Sequence, residues 1–569
     1  MTARGDRTTP RNESRMRIAV LLALGGCGQD IKVGEQFGTD APATSTPSGT
    51  EGSGSQDSQD PSSQSASGEG VGDQESSSSD PDSTATSGEA EGGTGVRFDI
   101  HGEGGSGPSA ACGMFLPGDV EECTKRAPPD SFEPEVQWSY DGIDSIVTPL
   151  VGNLTDDNGD GTIDLTDTPD VVIVSGVGDE GMVHVLDGQT GALHAEFGQV
   201  SGSITPALGD IDGDGFVEIL TGSGKGGATP LHAYEHDGTL KWASQEAFNG
   251  PVGAIALADL DNDGDVEIVA GDSLYDHTGK RLWAVPGYEF IATAATAADL
   301  DGDGDLEVVF GDRAFHHDGT IAYDNPPLRP AFFGIFVQVG NFDADIDPEI
   351  VVGHGGGIAM LEHDGSTKVS IPVPANGGKG GIFPGTVHDF DGDCVSEFAL
   401  STGTFYTVYE PDLTIRWTVA VADKSGTASG TAFDFLGDGI PEAIYADEQT
   451  MFVYNGIDGN VFMQTARGSG TGIEYPTVAD VDNDGAAEII VVSNRTPPDS
   501  PSVVVVKDRD ERWIQPRRIW NQHTYHVTNV NEDGTIPQFE QPNWHTLNTF
   551  RTNSQIESGG VCRPIPPEG

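Results

Sequence analysis

The residues best placed to do chemistry are carboxylates at fixed intervals. One nine-residue unit recurs: Asp210, Asp212, Asp214, Gly215, Glu218, then Asp259, Asp261, Asp263, Gly264, Glu267, then Asp299, Asp301, Asp303, Gly304, Glu307, and again Asp480, Asp482, Asp484, Gly485, Glu488. A fifth copy, Asp389, Asp391, Asp393 and Glu397, keeps every acid but has Cys394 at the glycine position. Two copies are degenerate: Asn341, Asp343, Asp345, Glu349, and Asp434, Leu436, Asp438, Glu442. First positions fall at 210, 259, 299, 341, 389, 434 and 480. Calcium takes six to eight hard oxygens at about 2.3–2.6 Å, and acids at positions 1, 3 and 5 of a tight loop converge on one point. Glycine at position 6 permits the turn, and the acid at position 9 closes the shell. Position 7, which is Phe216, Asp265 or Asp305, offers a backbone carbonyl. Isolated acidic turns are common, but seven at intervals of 40–49 residues point to several bound Ca2+ ions. Magnesium, which prefers few protein ligands and several waters, suits the pattern less well.

An eighth loop differs. Asp156, Asn158, Asp160, Thr162, Asp164 and Asp167 follow the twelve-residue ligand spacing of an EF-hand loop, with Asp in place of Glu at position 12. No helical pattern flanks it. Asn153 before it and Pro169-Asp170 after it make it a repeat unit with a longer calcium loop inserted.

The whole chain carries 28 Lys and Arg against 91 Asp and Glu, a net charge of −63 over 569 residues. That imbalance argues against a phosphate-binding groove, hence no nucleic acid partner, and against electrostatic docking on an anionic membrane. With 79 Gly and 35 Pro the composition suits turns and short strands rather than helical bundles.

The elements that must hold the loops follow from the flanking residues. Each loop runs into a short β-branched stretch such as Ile268-Val269-Ala270 or Ile489-Ile490-Val491-Val492, which reads as a buried strand. A hairpin follows, with Asp237-Gly238, Asp318-Gly319 or Asp364-Gly365 at its turn. About 45 residues therefore hold four strands, the content of one propeller blade. Val136-Gln137-Trp138 resembles the last strand of the repeats, as at Lys241-Trp242, Leu282-Trp283, Arg416-Trp417 and Arg512-Trp513. An N-terminal copy of a C-terminal strand suggests ring closure, but it leaves nine such strands for eight loops.

The pattern Asp-x-Asp-x-Asp-Gly-x-x-Glu leading into Ile-Val-Val-Gly resembles the FG-GAP/VCBS repeat of integrin-α-type β-propellers, over residues 136–515. The resemblance implies an all-β propeller with calcium loops rimming one end and the Asp, Asp, Asp and Glu of each unit as ligands. Asn341 and Leu436 depart from that set. The units number eight, with seven blades, the family's usual count, as the alternative.

Outside the repeat, Ile18 to Leu24 with Leu24-Gly25-Gly26-Cys27 reads as a secretory signal over 1–27 and resembles the lipobox of bacterial lipoproteins. The resemblance implies a lipid on Cys27 and, with Gly28 next, an outer-membrane or surface location. The lipid anchor is then the chain's only contact with a membrane. Within 28–97, Gly38 to Val96 has no aromatic residue, no Lys or Arg, and eleven acids, so it reads as a disordered tether with a reach of roughly 45 Å. A cysteine-containing lead-in (98–135) precedes the propeller, and a capping tail (516–569) follows it. Four thiols allow three pairings. Cys112 and Cys123, close in sequence, are the expected bond, and Cys394 reads as a buried free thiol. His523 and His526 in the tail are weak metal candidates, and Asn529 to Glu540 is a weaker ninth loop. No nucleophile elbow, zinc-protease helix or phosphate loop is present, and the repeat accounts for the paired acids. The expected role is binding, adhesion or scaffolding for a protein or glycan, without catalysis. The alternative is a polysaccharide lyase or hydrolase on a propeller scaffold.

Overall fold

The computed structural model describes residues 120–566, apart from 129–130, 177, 179, 224–227, 288–291, 330–334, 355, 373–383, 424–425, 427 and 495–499. The signal, the tether, Cys27 and Cys112 lie outside the described residues. Among the described residues the chain is all-β, with only two single turns of 3-10 helix, Pro326–Leu328 and Asn543–His545.

Eight four-stranded antiparallel blades follow one another. Blade 1 is Leu150–Gly152, Asp170–Val174, Gly181–Asp187 and Leu193–Val200, from inner to outer strand. Blade 2 starts at Ala207–Gly209, blade 3 at Val252–Ala258, blade 4 at Thr296–Ala298 and blade 5 at Ile335–Gly340. Blades 6 and 7 start at Thr386–His388 and Gly430–Phe433. Blade 8 is Thr477–Ala479, Glu488–Val492 and Val503–Asp508, and its fourth strand is Pro134–Tyr140, paired antiparallel with Val503–Asp508. The eight-blade reading holds, and the ring closes with the N-terminal strand as expected, leaving no open edge there. The surplus strand disappears because Arg512-Trp513 is not one: it lies in the turn region after Asp508, where the Trp513 ring packs 5.1 Å from Phe132 and 4.5 Å from Phe435.

Second strands are buried throughout, as in Asp170–Val174 and Glu218–Gly222, whereas outer strands such as Leu240–Ala243 are half-exposed. This is why the second strand reads as a continuous apolar run and the outer one alternates. Six of the eight outer strands turn an aromatic side chain onto the hairpin turn of the next blade; Phe197 of blade 1 covers Gly238 in this way, while blade 7 has Met463 at the position. Trp138, Trp242, Trp283, Tyr323 and Trp417 cover Gly191, Gly279, Gly319, Gly365 and Gly459. Between blades 5 and 6 the sizes are exchanged. Val369 takes the aromatic position, Leu413, at φ 65°, takes the turn's glycine position, and both belong to one apolar cluster.

The tail packs as a cap against the inner strands at the middle of the ring. Val151 and Trp520 exchange backbone hydrogen bonds of 3.0 and 2.9 Å. Leu208 N–H donates to the Asn521 carbonyl and Leu257 N–H to Gln522 Oε1. Thr524 reaches Ala295, Arg551 reaches Val337 and Gly385, Thr431 reaches the Arg551 carbonyl, and Asn553 reaches Val478. All eight blades are thus engaged at their inner strands.

Cys123, in the segment before the first strand, is bonded to Cys562 at the end of this cap. The expected Cys112–Cys123 bond is therefore wrong. Proximity in sequence was a poor guide, because the fold brings residue 123 beside residue 562: Cys123 N–H donates to the Arg563 carbonyl, and Arg563 N–H to that of Glu121. Cys394 is not a free thiol either; it is disulfide-bonded, to a partner outside the described residues.

Candidate metal centres

Each inner strand delivers the first aspartate at its end, and a turn folds the next carboxylates back beside it. Asp210 accepts from the N–H groups of Gly213 and Gly215 at 2.7 and 3.0 Å. Asp389 does the same for Gly392 and for Cys394, which adopts φ 74° where the other full loops have glycine. The position-5 acid caps position 7: Asp214, Asp263, Asp303, Asp393, Asp438 and Asp484 each accept from the N–H two residues on. The loops are thus pre-shaped by their own amides.

The position-9 glutamate opens the second strand and is buried. In all seven units one of its oxygens accepts the position-2 N–H, in Glu218, Glu267, Glu307, Glu349, Glu397, Glu442 and Glu488, at 2.7–3.1 Å. The other oxygen accepts no backbone hydrogen bond; in Glu218, Glu307 and Glu349 it meets Lys241, His316 and Lys368. In Glu397 and Glu488 that oxygen is buried without a hydrogen-bond partner. A buried carboxylate oxygen without a donor is costly, and a hard cation is the group that satisfies it. The residues therefore fit calcium.

Burial, with neighbouring carboxylates adding to it, pushes these acids up. Asp259 rises to about 6 and Glu267 to about 8. Asp389 and Asp480 rise to about 7 and Glu397 to about 9. Glu488 rises well above its ordinary value.

The longer loop of blade 1 is arranged on the same plan. Asp156 accepts from Gly159, Asp160 and Gly161, and Asp167 from Asp157, Asn158 and Asp164. Thr162 and Thr166 hydroxyls tie Asp160 and Asp164. Asp170 takes the place of the position-9 glutamate, accepting from Leu154 N–H at 2.9 Å, and His194 Nδ1 lies 3.0 Å from it. The sequence reading left Asp170 out of the ligand set. Its signal was the match of Asn153 to Pro169-Asp170 with Asn341 to Pro348-Glu349.

Basic side chains near the loops were also missed. Lys241 Nζ lies 2.6 Å from Asp212 and 3.0 Å from Glu218, and Lys368 Nζ contacts Asp343 and, at 2.7 Å, Glu349. Arg416 pairs with Asp391 and Glu410, and His316 lies 2.9 Å from Glu307. In blade 3, Asp261 and Glu267 have no lysine or arginine ion pair among the described residues. In the cap, His526 Nε2 lies 2.6 Å from Glu540, which thus has its own partner, and His523 packs against Tyr475 and Phe336.

The FG-GAP-like repeat model matches residues 210–270, from the loop of blade 2 to the second strand of blade 3, and 434–491, from the loop of blade 7 into the second strand of blade 8. No curated protein matches the chain in sequence. Among solved structures, the V. cholerae biofilm matrix protein Bap1 is similar at 22% identity and a TM-score of 0.63, covering 76% of this chain and all of that one. A Bacillus licheniformis rhamnogalacturonan lyase of family PL11 is similar at 15% identity and a TM-score of 0.47, over 78% of this chain and 83% of its own.

Proposed function

We propose that this chain, an eight-bladed β-propeller of FG-GAP-like repeats, is an extracytoplasmic binding or scaffold module whose blades are fastened by calcium, with a protein or glycan as partner. The observation that carries this reading is the divided position-9 glutamate. One oxygen is fixed by the loop amide, and in blades 6 and 8 the other is buried without a hydrogen-bond partner.

The Asp, Asp, Asp and Glu of the full loops of blades 3, 4, 6 and 8 would hold the ion, which supplies charge neutralisation and cross-links the first and second strands. The chain's own residues position it through the amide hydrogen bonds that shape each loop. The disulfide between Cys123 and Cys562 suits an oxidising compartment outside the cytoplasm. The lipid anchor at Cys27 belongs to the same reading, in which the propeller stands off a membrane on residues 28–97. A biofilm matrix protein of the same fold is in keeping with a scaffold role.

Calcium bound only to the native state stabilises by RT ln(1 + [L]/Kd), about 2.7 kcal/mol per site at one hundred times Kd. Thermal unfolding in EDTA and in millimolar calcium tests the metal. A rise of the midpoint with calcium is expected, and an unchanged midpoint overturns calcium fastening. A glycan array and pull-down, run with and without calcium, tests the partner. Depolymerisation of a bound polysaccharide would replace the binding role with a catalytic one.

A further inference from the structure

The seven short loops are not equivalent, and what separates them is the residue just before the inter-blade aromatic position of the outer strand. In blades 3, 4, 7 and 8 this residue is Leu282, Ala322, Phe462 and Gln137. In blades 2 and 5 it is Lys241 and Lys368. The position faces the loop of its own blade, since Gln137 donates to Asp482 at 2.7 Å in blade 8.

In blade 2 the Lys241 ammonium sits among four acids: Asp212 at 2.6 Å, Glu218 at 3.0 Å, Glu235 at 3.3 Å and Asp214 at 3.9 Å. In blade 5 the Lys368 ammonium repeats the arrangement with Asp343, Glu349 at 2.7 Å and Glu362 at 3.3 Å. Both ammonium groups take the glutamate oxygen that is unpartnered in blade 8. Glu235 and Glu362 each directly follow the third strand and complete a cluster around each lysine.

We infer that Lys241 and Lys368 are built-in counter-cations that hold the loops of blades 2 and 5 in place of a metal ion, so that calcium loading falls to the other loops. The inference rests on the calcium reading above. A calcium ion needs its oxygens at about 2.3–2.6 Å, converging on one point. The ammonium already occupies the point where the position-3 and position-9 carboxylates converge. Two cations cannot share it, because their repulsion at such a distance exceeds any gain from carboxylates already satisfied. The lysine also arrives covalently attached, so the loop is neutralised whatever the calcium concentration. Arg416 in blade 6 is a different case: it pairs with Asp391 and Glu410 but leaves the second oxygen of Glu397 unpartnered.

Calcium bound to the full chain, counted by native mass spectrometry, tests this alongside thermal midpoints in EDTA. Asp261→Asn and Asp301→Asn are each expected to lose one calcium. Asp212→Asn and Asp343→Asn are expected to lose none. Lys241→Met and Lys368→Met are each expected to unfold at lower temperature in EDTA, to gain one calcium and to recover with it, whereas Lys241→Arg keeps the wild-type count. Loss of one calcium in Asp212→Asn or Asp343→Asn overturns the inference. So do lysine-to-methionine variants with unchanged EDTA midpoints. A wild-type chain that binds no calcium removes the calcium reading instead. The EDTA midpoints then decide the role of the lysines: a fall in Lys241→Met that Lys241→Arg does not share supports it.

Discussion

The position-9 glutamates show how one side chain serves two tasks. Glu267 spends one oxygen on Leu260 N–H, which fixes the loop, and is buried in a group with Asp259, Asp261 and Asp263. Without a cation this group holds its protons tightly. Burial first, then the neighbouring carboxylates, raises Glu267 from 4.5 to about 8, and Asp259 from 3.8 to about 6. A folded-state value above the unfolded one means that the folded chain binds the proton more strongly. The stability so gained is complete below the unfolded values and is lost as pH rises through the folded ones. In EDTA the thermal midpoint should therefore fall between pH 5 and pH 9, and saturating calcium should flatten that slope. A pH profile of the midpoint in both conditions checks it. Residue identity also sets which loops load. Leu436 gives the blade 7 loop no side-chain oxygen at position 3, and a calcium ion needs six or more ligands. Calorimetric titration should show one calcium fewer in Asp301→Ala and little change in Asp438→Ala.

At the scale of the elements, the blades interlock through an aromatic ring laid on a neighbour's turn. Trp242 of blade 2 covers Gly279 of blade 3, which adopts φ 79°. A Cβ there would lie 2.5 Å from the indole, and an L-residue is strained at that φ besides. Gly279→Ala should cost about 2–3 kcal/mol, the range of core overpacking with added backbone strain. Chemical denaturation measures it. Combining Gly279→Ala with Trp242→Ala should cost less than the sum of the two, since removing the indole relieves the clash. At the junction of blades 5 and 6 Val369 stands for the aromatic residue and Leu413 for the glycine, and the two belong to one apolar cluster.

The whole molecule is closed at two radii. At the rim, Pro134–Tyr140 completes blade 8, and at the centre the cap touches the inner strands of all eight blades. The bond between Cys123 and Cys562 joins the segments that make these two closures, across 439 residues. Cys562→Ser should lower stability by about 2–4 kcal/mol, the usual worth of a native disulfide, and expose the end of the cap to protease. Denaturant titration with limited proteolysis reads both. A variant that stayed as resistant as the wild type would place the stability of the cap in its hydrogen bonds alone.

Local order was legible in the sequence because it is written in short intervals. The Asp, Asp, Asp, Gly and Glu spacing fixed the loops, the β-branched runs fixed the second strands, and Val136-Gln137-Trp138 fixed the closing strand, since each depends on neighbours only a few residues away. Eight units then led to eight blades. Contacts between distant residues were decided by the tertiary structure. Nothing near Cys123 distinguishes Cys112 from Cys562 as its partner, because the pairing depends on the ring returning the chain to its start. Arg512-Trp513 carries the same residue types as a true outer strand, yet blade 8 already has its fourth strand from the N-terminus, so Trp513 packs beside Phe132 and Phe435 instead. Nothing in the sequence sets Lys241 and Lys368 apart from other lysines; the outer strand of the packed blade brings them onto the acids. An intrastrand position determines which face a side chain takes, but only the packed blade determines what it meets there.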